Sequence, residues 1–496
     1  MILNKLFSFL INISVAILIY FMDVNLTNIP ELELFTAQTL KLLVPTKKCK
    51  FSCKRTLYFT SNFRNNSDKL YRQYKIIKYK NKKNSFVTYY KDDYDYGQYE
   101  SLLFRHGLIK SNSMISDNNF FFSKRVISLI NTNNSQFKIN NFQKFYRFFG
   151  YQVLFKDSLY MNYLEMKKKF NKDYDFMSET YIYPKDKDII ENKFINYTLN
   201  LSDLWLIKPK DRSGGYGIKI LYSFEEVEKG EFLISKYIMP LDFINNKKYD
   251  LRLYVLVTGL KPLRIYLNKE GLIRIATNNF SLDEKTIKDK YIHLTNTGVN
   301  SRNSYFIKPN NTENQNANIW NLKTYAKYLK KKNVDYDKIK KKIKKIIIKS
   351  IISIYQNLTL EQRKNNLNDI NFYDILGYDI IITNKYEPIL IEINTGPSIV
   401  MYNELDKIIK TNLLVDTLNL IGISIFSKNI IFKKQYFTNI SIEDNVNNAL
   451  CELTRPRGDY ELIFPLKSNI RTYKKFFKGI NSKENELFWK KILSDD

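Results

Sequence analysis

Residues 374–398 hold two apolar runs, each interrupted by a carboxylate, on either side of a short polar turn. Ile389–Ile393 reads as a buried strand and Tyr378–Ile382 as its partner. With the turn near Asn384–Glu387, counting outward in a hairpin sets Asp379 opposite Glu392. Directly opposed side chains in an antiparallel pair stand about 5 Å apart. Asn394 lies two residues past Glu392 and projects from the same face. Two carboxylates and an amide then converge inside an apolar sheet, and ionised carboxylates are almost never buried without compensation. Hard oxygen donors at that spacing suit Mg²⁺, which is commonly held by a few carboxylates plus substrate phosphates. A solvated hairpin end with scattered polar residues is the plainer reading of this segment alone.

Two further segments repeat the theme of charge set among apolar residues. In Lys248–Val257, the residues Lys248, Asp250, Arg252 and Tyr254 share one strand face, and Leu251, Leu253 and Val255 share the other. Such a strand is either an exposed edge or the floor of a polar site. Pro262–Leu267 and Leu272–Thr277 flank a Lys-Glu-Gly turn at 269–271, which predicts a hairpin carrying Arg274; His293-Leu294-Thr295-Asn296 follows. Leu204–Pro209 predicts a buried strand reaching Lys208, followed by a loop with Gly214, Gly215 and Gly217 and a second strand from Ile218. A glycine-rich loop lets backbone N–H groups approach phosphate oxygens closely. It is not the P-loop pattern, because no Gly-Lys-Ser/Thr opens a helix; by itself it also reads as a hairpin turn.

Taken together and in this order, the segments resemble the tubulin–tyrosine ligase-like family, over roughly residues 136–425. The resemblance implies an α+β ATP-grasp fold, with nucleotide bound between two β-sheet lobes flanked by helices. Trp205–Ile218 looks like the family's nucleotide loop, which implies Lys208, Gly214, Gly215, Gly217 and Ile218 at the nucleotide. Ser235-Lys236-Tyr237-Ile238 looks like its adenine-contacting hinge, normally Gln-Lys-Tyr-Ile. Lys248, Asp250, Arg252 and Arg274 fall on its substrate strands, and Thr295 and Asn296 belong to a further signature. The resemblance implies Lys248, Asp250, Thr295 and Asn296 as nucleotide contacts, and Asp379, Glu392 and Asn394 as metal ligands. Leu154–Asn162 resembles the element Leu-Thr-Arg-Lys-Asp-x-Leu-x-x-Asn and places Lys156 on the nucleotide; Tyr174-Asp175-Phe176, Tyr181 and Pro184 fit the stretch that follows.

The activity implied uses ATP and Mg²⁺ to phosphorylate a tubulin glutamate carboxylate, which the amine of an amino acid then attacks. Arg252 and Arg274 would act catalytically, orienting the two carboxylates where a planar bidentate fork is favoured; Arg274 and Thr395 would bind substrate. Leu405-Asp406-Lys407 and Arg457–Pro465 look most like the glutamate-adding branch. Glycine- or tyrosine-adding ligases, or a catalytically weak microtubule-binding member, are the alternatives. Three departures from the family pattern stand out. The loop reads Gly214-Gly215-Tyr216-Gly217-Ile218 where Arg-Gly-Arg-Gly-Ile is usual, with Arg212 nearby. Thr297-Gly298-Val299-Asn300-Ser301 stands where Tyr-Ser-x-Asn-Lys is usual, part of which contacts the incoming amino acid. Phe155 replaces an arginine beside Lys156.

The formal charge of +29 fits nucleic acid, an anionic membrane or an acidic protein as partner. The chain is rich in Lys, Asn, Ile and Tyr throughout, so part of this charge reads as compositional drift. No nucleic-acid module is recognisable; the resemblance implies the glutamate-rich tails of α/β-tubulin or microtubules, with glutamate as the free amino acid. Ile339, Ile343, Ile347 and Ile351 recur every four residues and predict an amphipathic helix. Lys338, Lys341, Lys342, Lys345 and Lys349 fall largely off that stripe, as a solvated face or a tubulin-docking face. Three cysteines, Cys49, Cys53 and Cys451, fit a reducing compartment, and with two histidines in the chain they make a zinc site a poor fit. Leu6–Met22 is an apolar run of 17 residues after Lys5. It reads as a signal anchor, a secretory signal peptide or a helix packed on the body, so a membrane partner stays open alongside a cytoplasmic, microtubule-associated location. The expected organisation is a hydrophobic segment at 1–25, an N-terminal lobe at 26–135, the catalytic domain at 136–425, and a basic C-terminal extension at 426–496 with a helical tail.

Overall fold

Strands follow the apolar runs. The structure, a computed structural model, describes residues 39–45, 56–63, 74–80, 87–91, 97–106, 108–110, 120–122, 144–148, 150–201, 203–210, 212, 214–227, 230–364, 371–424, 440–477 and 479–494. The Leu6–Met22 run, Cys49 and Cys53 lie outside them. The described residues from Leu40 onward form one compact unit. Strands β1 (Thr39–Pro45), β2 (Thr56–Leu57) and β3 (Tyr74–Lys80) make a small sheet ordered β2-β1-β3. Strands β4 (Val87–Lys91), β5 (Leu108–Lys110), β6 (Phe120–Phe122) and β7 (Lys144–Tyr146) pair in parallel. Strands β8 (Thr180–Tyr183), β9 (Trp205–Pro209), β10 (Lys219–Ile220) and β11 (Phe232–Lys236) form an antiparallel sheet ordered β10-β9-β11-β8.

The large sheet carries the site. Strands β12 (Tyr249–Leu260), β13 (Leu263–Ile275), β14 (Ile319–Asn321) and β15 (Phe372–Ile382) are antiparallel, and β15 joins the parallel group through β7. The order is β14-β13-β12-β15-β7-β6-β4-β5, with β16 (Pro388–Thr395) on β15 and β17 (Tyr460–Phe464) on β13. The helices used below are α1 (Lys156–Phe170), α2 (Tyr336–Lys364), α3 (Glu404–Ile421), α4 (Ile442–Leu453) and α5 (Lys483–Ser494). One sheet face packs Leu251, Leu253, Val255 and Val257 against the Ile339, Ile343, Ile347 and Ile351 stripe of α2. The other packs Tyr254, Leu256 and Tyr266 against Leu405, Ile409 and Leu413 of α3. Lys338, Lys341 and Lys345 are exposed, while Lys342 pairs with Glu387 and Lys349 with Asp173. Among the described residues no helix is long and apolar enough to cross a membrane.

Two sequence expectations change. The Lys-Glu-Gly stretch at 269–271 is not a hairpin turn, because β13 runs straight through it. Leu253 pairs with Gly271 and Val255 with Leu267, so residues 268–270 bulge off β12. Their edge is taken up by β17, where Asn268 pairs with Tyr460 and the Lys269 N–H donates to Asp459 O (2.8 Å). A polar triplet with glycine marks a bulge as well as a turn, and the arbiter here sits far along the chain. Cys451 on α4 is disulfide-bonded, which the cysteine count did not foretell. The last segment also packs into the body. Phe464, Phe488 and Trp489 belong to the same core as Val255. Buried Glu452 of α4 accepts from Arg264 Nε and Nη2 (2.9 and 3.2 Å), Tyr266 Oη (2.9 Å) and Thr258 Oγ1 (2.5 Å).

Candidate active site

The floor of the site is the β12–β15–β16 surface. Asp379 pairs with Glu392 across β15 and β16, Arg252 pairs with Asp379 across β12 and β15, and Asp250 pairs with Arg274 across β12 and β13. Outward from the turn, Ile382 pairs with Pro388 and Ile380 with Leu390; a bulge at Ile391 then shifts the register by one and brings Asp379 opposite Glu392. Arg252 donates to both Asp379 oxygens (2.6 and 3.0 Å). Arg274 Nε donates to Asp250 Oδ1 (2.8 Å), and its Nη2 reaches Asp250 Oδ2 and also Asp379 Oδ2 (2.9 Å). Asn394 Nδ2 donates to Asp379 Oδ2 (3.2 Å) and Glu392 Oε1 (3.1 Å). Burial opposes ionisation of Asp379, but the Arg252 and Arg274 guanidiniums overcome it and hold the carboxyl well below its usual range. Glu392 is pushed the other way, by burial and by Asp379, with Lys156 only partly offsetting them.

A cleft of about 1130 Å³, its open mouth included, rises from this floor between the two sheets. Lys156 begins α1, lies 3.8 Å from Glu392 Oε2, and donates to Arg212 O (2.5 Å). Lys208 sits near the end of β9; burial lowers it to about 8, Glu392 counteracting and Lys156 adding to the shift. The glycine loop follows. Gly215 has φ +84°, and a Cβ there would stand 2.7 Å from Asn296 Oδ1, so only glycine lets the backbone approach this closely. On the far side, Tyr237 Oη accepts from Lys248 Nζ (3.0 Å) and bonds His293 Nδ1 (3.0 Å). Burial lowers Lys248 to about 7, Asp250 opposing, and lowers His293 to about 4, with Lys248 adding.

The cleft is lined by Lys156, Lys208, Gly215, Ile218, Ser235, Lys236, Tyr237, Ile238, Lys248, Asp250, Arg274, Thr295, Asn296, Asp379 and Glu392. Gly214, Gly217, Arg252, Asn394 and Thr395 stand outside the lining. Arg252 and Asn394 donate to Asp379, and both arginines pair with carboxylates, Arg252 through Nε and Nη2 and Arg274 through Nε and Nη2. The Lys236 ammonium is held by Asp203 (2.9 Å). Thr395 is gripped by buried Arg147, which donates to its carbonyl (2.9 Å) and its hydroxyl (3.3 Å). Sequence reasoning missed Arg147 and the Lys248–Tyr237–His293 chain. The available signal for Arg147 was a charge inside the aromatic run Phe145–Phe148.

Two carboxylates and an amide form the candidate cation site, and among the described residues no three His, Cys, Asp or Glu side chains converge. The donors fit Mg²⁺: hard oxygens in register, with Glu392 countered by Lys156 only at 3.8 Å and pushed toward protonation by burial and Asp379. Asn394 presents its amide nitrogen, so ligation by its oxygen requires the amide to turn over.

The profile of the tubulin-tyrosine ligase family matches residues 134–431. Tubulin monoglutamylase TTLL4 of Mus musculus is 31% identical over 287 residues, 57% of this chain and 24% of that protein. Tubulin polyglutamylase ttll-5 of Caenorhabditis elegans is 28% identical over 288 residues, 56% of this chain and 40% of that protein. Tubulin polyglutamylase TTLL6 of Homo sapiens is 30% identical over 370 residues, 70% and 40%. The matched stretch thus spans between a quarter and two fifths of these relatives' own length.

Proposed function

Because the chain belongs to the tubulin-tyrosine ligase family, we propose that it is an ATP-dependent carboxylate–amine ligase that adds glutamate to glutamate side chains in tubulin tails. The observation that carries this reading is the in-register set Arg252–Asp379–Glu392 with Arg274 and Asp250, facing Lys156 and Lys208 across one cleft. Relatives named as tubulin mono- and polyglutamylases support the choice of substrate. In this reading the protein acts in the cytoplasm, at microtubules.

In this reading Lys156 and Lys208 hold the ATP phosphates, and the Ser235–Ile238 hinge with the Lys248–Tyr237–His293 chain holds the adenine end. A tubulin carboxylate oxygen attacks the γ-phosphorus; ADP leaves and an acyl phosphate forms. The neutral amine of the incoming glutamate attacks the acyl carbon, an amide bond forms, phosphate departs, and the amine proton passes to solvent. Arg274 faces the cleft and orients the carboxylates, while Arg252 fixes Asp379. Mg²⁺ on Asp379, Glu392 and Asn394 would supply the charge that offsets the phosphates. The test is purified protein with MgATP, tubulin and each labelled amino acid in turn. Glutamate incorporation is expected. Glycine or tyrosine incorporation instead would overturn the amino-acid assignment, and none at all would overturn the ligase reading.

A further inference from the structure

The two stretches in which this sequence departs from the family pattern, 214–218 and 297–301, come together at the cleft. Arg302, one residue past the second stretch, donates from Nη2 to Tyr216 Oη (2.6 Å). Its guanidinium carbon also lies 5.4 Å from the Tyr216 ring centre. Beside this contact, a Cβ at Gly215 would meet Asn296 Oδ1 and, at 3.3 Å, Val299 Cγ2. Gly215 and Asn296 both line the cleft. The loop belongs to the small β8–β11 sheet, which has its own apolar cluster around Trp205, Ile207 and Ile234. Residues 296–302 follow β13 of the large sheet. The Tyr216–Arg302 contact therefore ties the glycine loop of the small sheet to the segment that follows β13 on one side of the cleft.

We propose that Tyr216 and Arg302 form a clasp that holds the glycine loop down on the nucleotide, making Arg302 a positioning residue for ATP. This rests on the nucleotide-site reading above. Both side chains are exposed, so neither is needed to fill the core. A guanidinium that stacks on a ring and bonds its hydroxyl uses the planar geometry that lysine lacks. Opening the loop breaks the stack, the hydrogen bond and the Gly215–Asn296 approach together, so nucleotide release is tied to the clasp.

The test uses the full chain and a fluorescent, non-hydrolysable ATP analogue with Mg²⁺, followed by stopped-flow displacement. Arg302→Ala is expected to speed release about fivefold to seventyfold, the combined size of an exposed cation–π contact and one hydrogen bond. Tyr216→Phe keeps the ring and should give a smaller rise, and Arg302→Lys should fall between wild type and Arg302→Ala. The double variant should release no faster than Arg302→Ala alone. In steady state, KM for ATP should rise with kcat nearly unchanged, and the unfolding midpoint should not move. Release at the wild-type rate from Arg302→Ala, or fully additive effects in the double variant, would overturn the clasp while leaving the nucleotide site standing. Wild-type protein that binds no analogue would overturn the site and the clasp together.

Discussion

Asp379→Asn and Glu392→Gln each remove one negative charge from the cleft floor, and they are expected to differ sharply in stability. Asp379 is 2% exposed and receives Arg252 at 2.6 and 3.0 Å and Arg274 at 2.9 Å. Removing one partner of a buried ion pair costs about 3–5 kcal/mol. Arg274 keeps its second carboxylate, Asp250, so only Arg252 is stranded and the lower end, about 3 kcal/mol, applies. Glu392 has no such partner; Lys156 is 3.8 Å away. Burial and Asp379 raise its pKa. An acid whose folded pKa exceeds its unfolded value costs stability once pH is above both, and that cost vanishes as pH falls below the unfolded value. Glutamine removes the cost at neutral pH, so Glu392→Gln should leave stability within about 0.5 kcal/mol of wild type or slightly above it. Both variants should lose ligation. Urea unfolding at neutral pH, run beside a ligation assay, reads both quantities. Glu392→Gln unfolding as early as Asp379→Asn would make Glu392 a structural residue and defeat the argument. So would Asp379→Asn matching wild type. Near-normal turnover of Glu392→Gln at saturating Mg²⁺ would remove its metal role.

Lys208→Ala should weaken a non-hydrolysable ATP analogue by roughly 1.5–3 kcal/mol, the range for a hydrogen bond to a charged group; unchanged affinity in isothermal titration would move the phosphates elsewhere. Burial holds Lys208 near 8, and bound phosphates favour its charged form. Binding at about pH 8 should therefore take up protons, and affinity should fall as pH rises further. Titrations in buffers of different ionisation enthalpy check this, and identical apparent enthalpies would contradict it. Lys338, Lys341 and Lys345 line an exposed stripe about 10 Å long on α2. Wild-type microtubule co-sedimentation should weaken across about 0.05–0.2 M salt; reversing all three to Glu should weaken it already at low salt and flatten that dependence, with ATP affinity unchanged. Equal binding by wild type and variant at low salt would reduce the stripe to a solvated face.

The Asp379–Glu392 pairing was legible because a four-residue turn and a period of two, counted outward, land on it; the tighter pairing beside the turn and the bulge at Ile391 that offsets it were not legible. The α2 stripe was legible for the same kind of reason: one helix face repeats every turn. What escaped the sequence depends on partners distant in the chain. The 269–271 triplet looks like a turn until β17 arrives to pair with it. The Lys248–Tyr237–His293 chain draws on three separate segments. Lys236 sits on the expected hinge, yet its ammonium goes to Asp203. Thr395 was expected at the substrate, and only the fold reveals that Arg147 holds it.

The Arg264–Glu452 pair has a consequence for how the protein is made. The two residues are separated by 188 positions in sequence. At synthesis rates of about 5–20 residues per second, the arginine leaves the ribosome about 10–40 s before its counter-charge exists. Over that interval the outer edge of β13 also lacks β17. An unpaired strand edge invites association with other chains. The nascent polypeptide thus carries an open edge and a guanidinium without its carboxylate until α4 and β17 have been made, and shielding by chaperones matters most in that window.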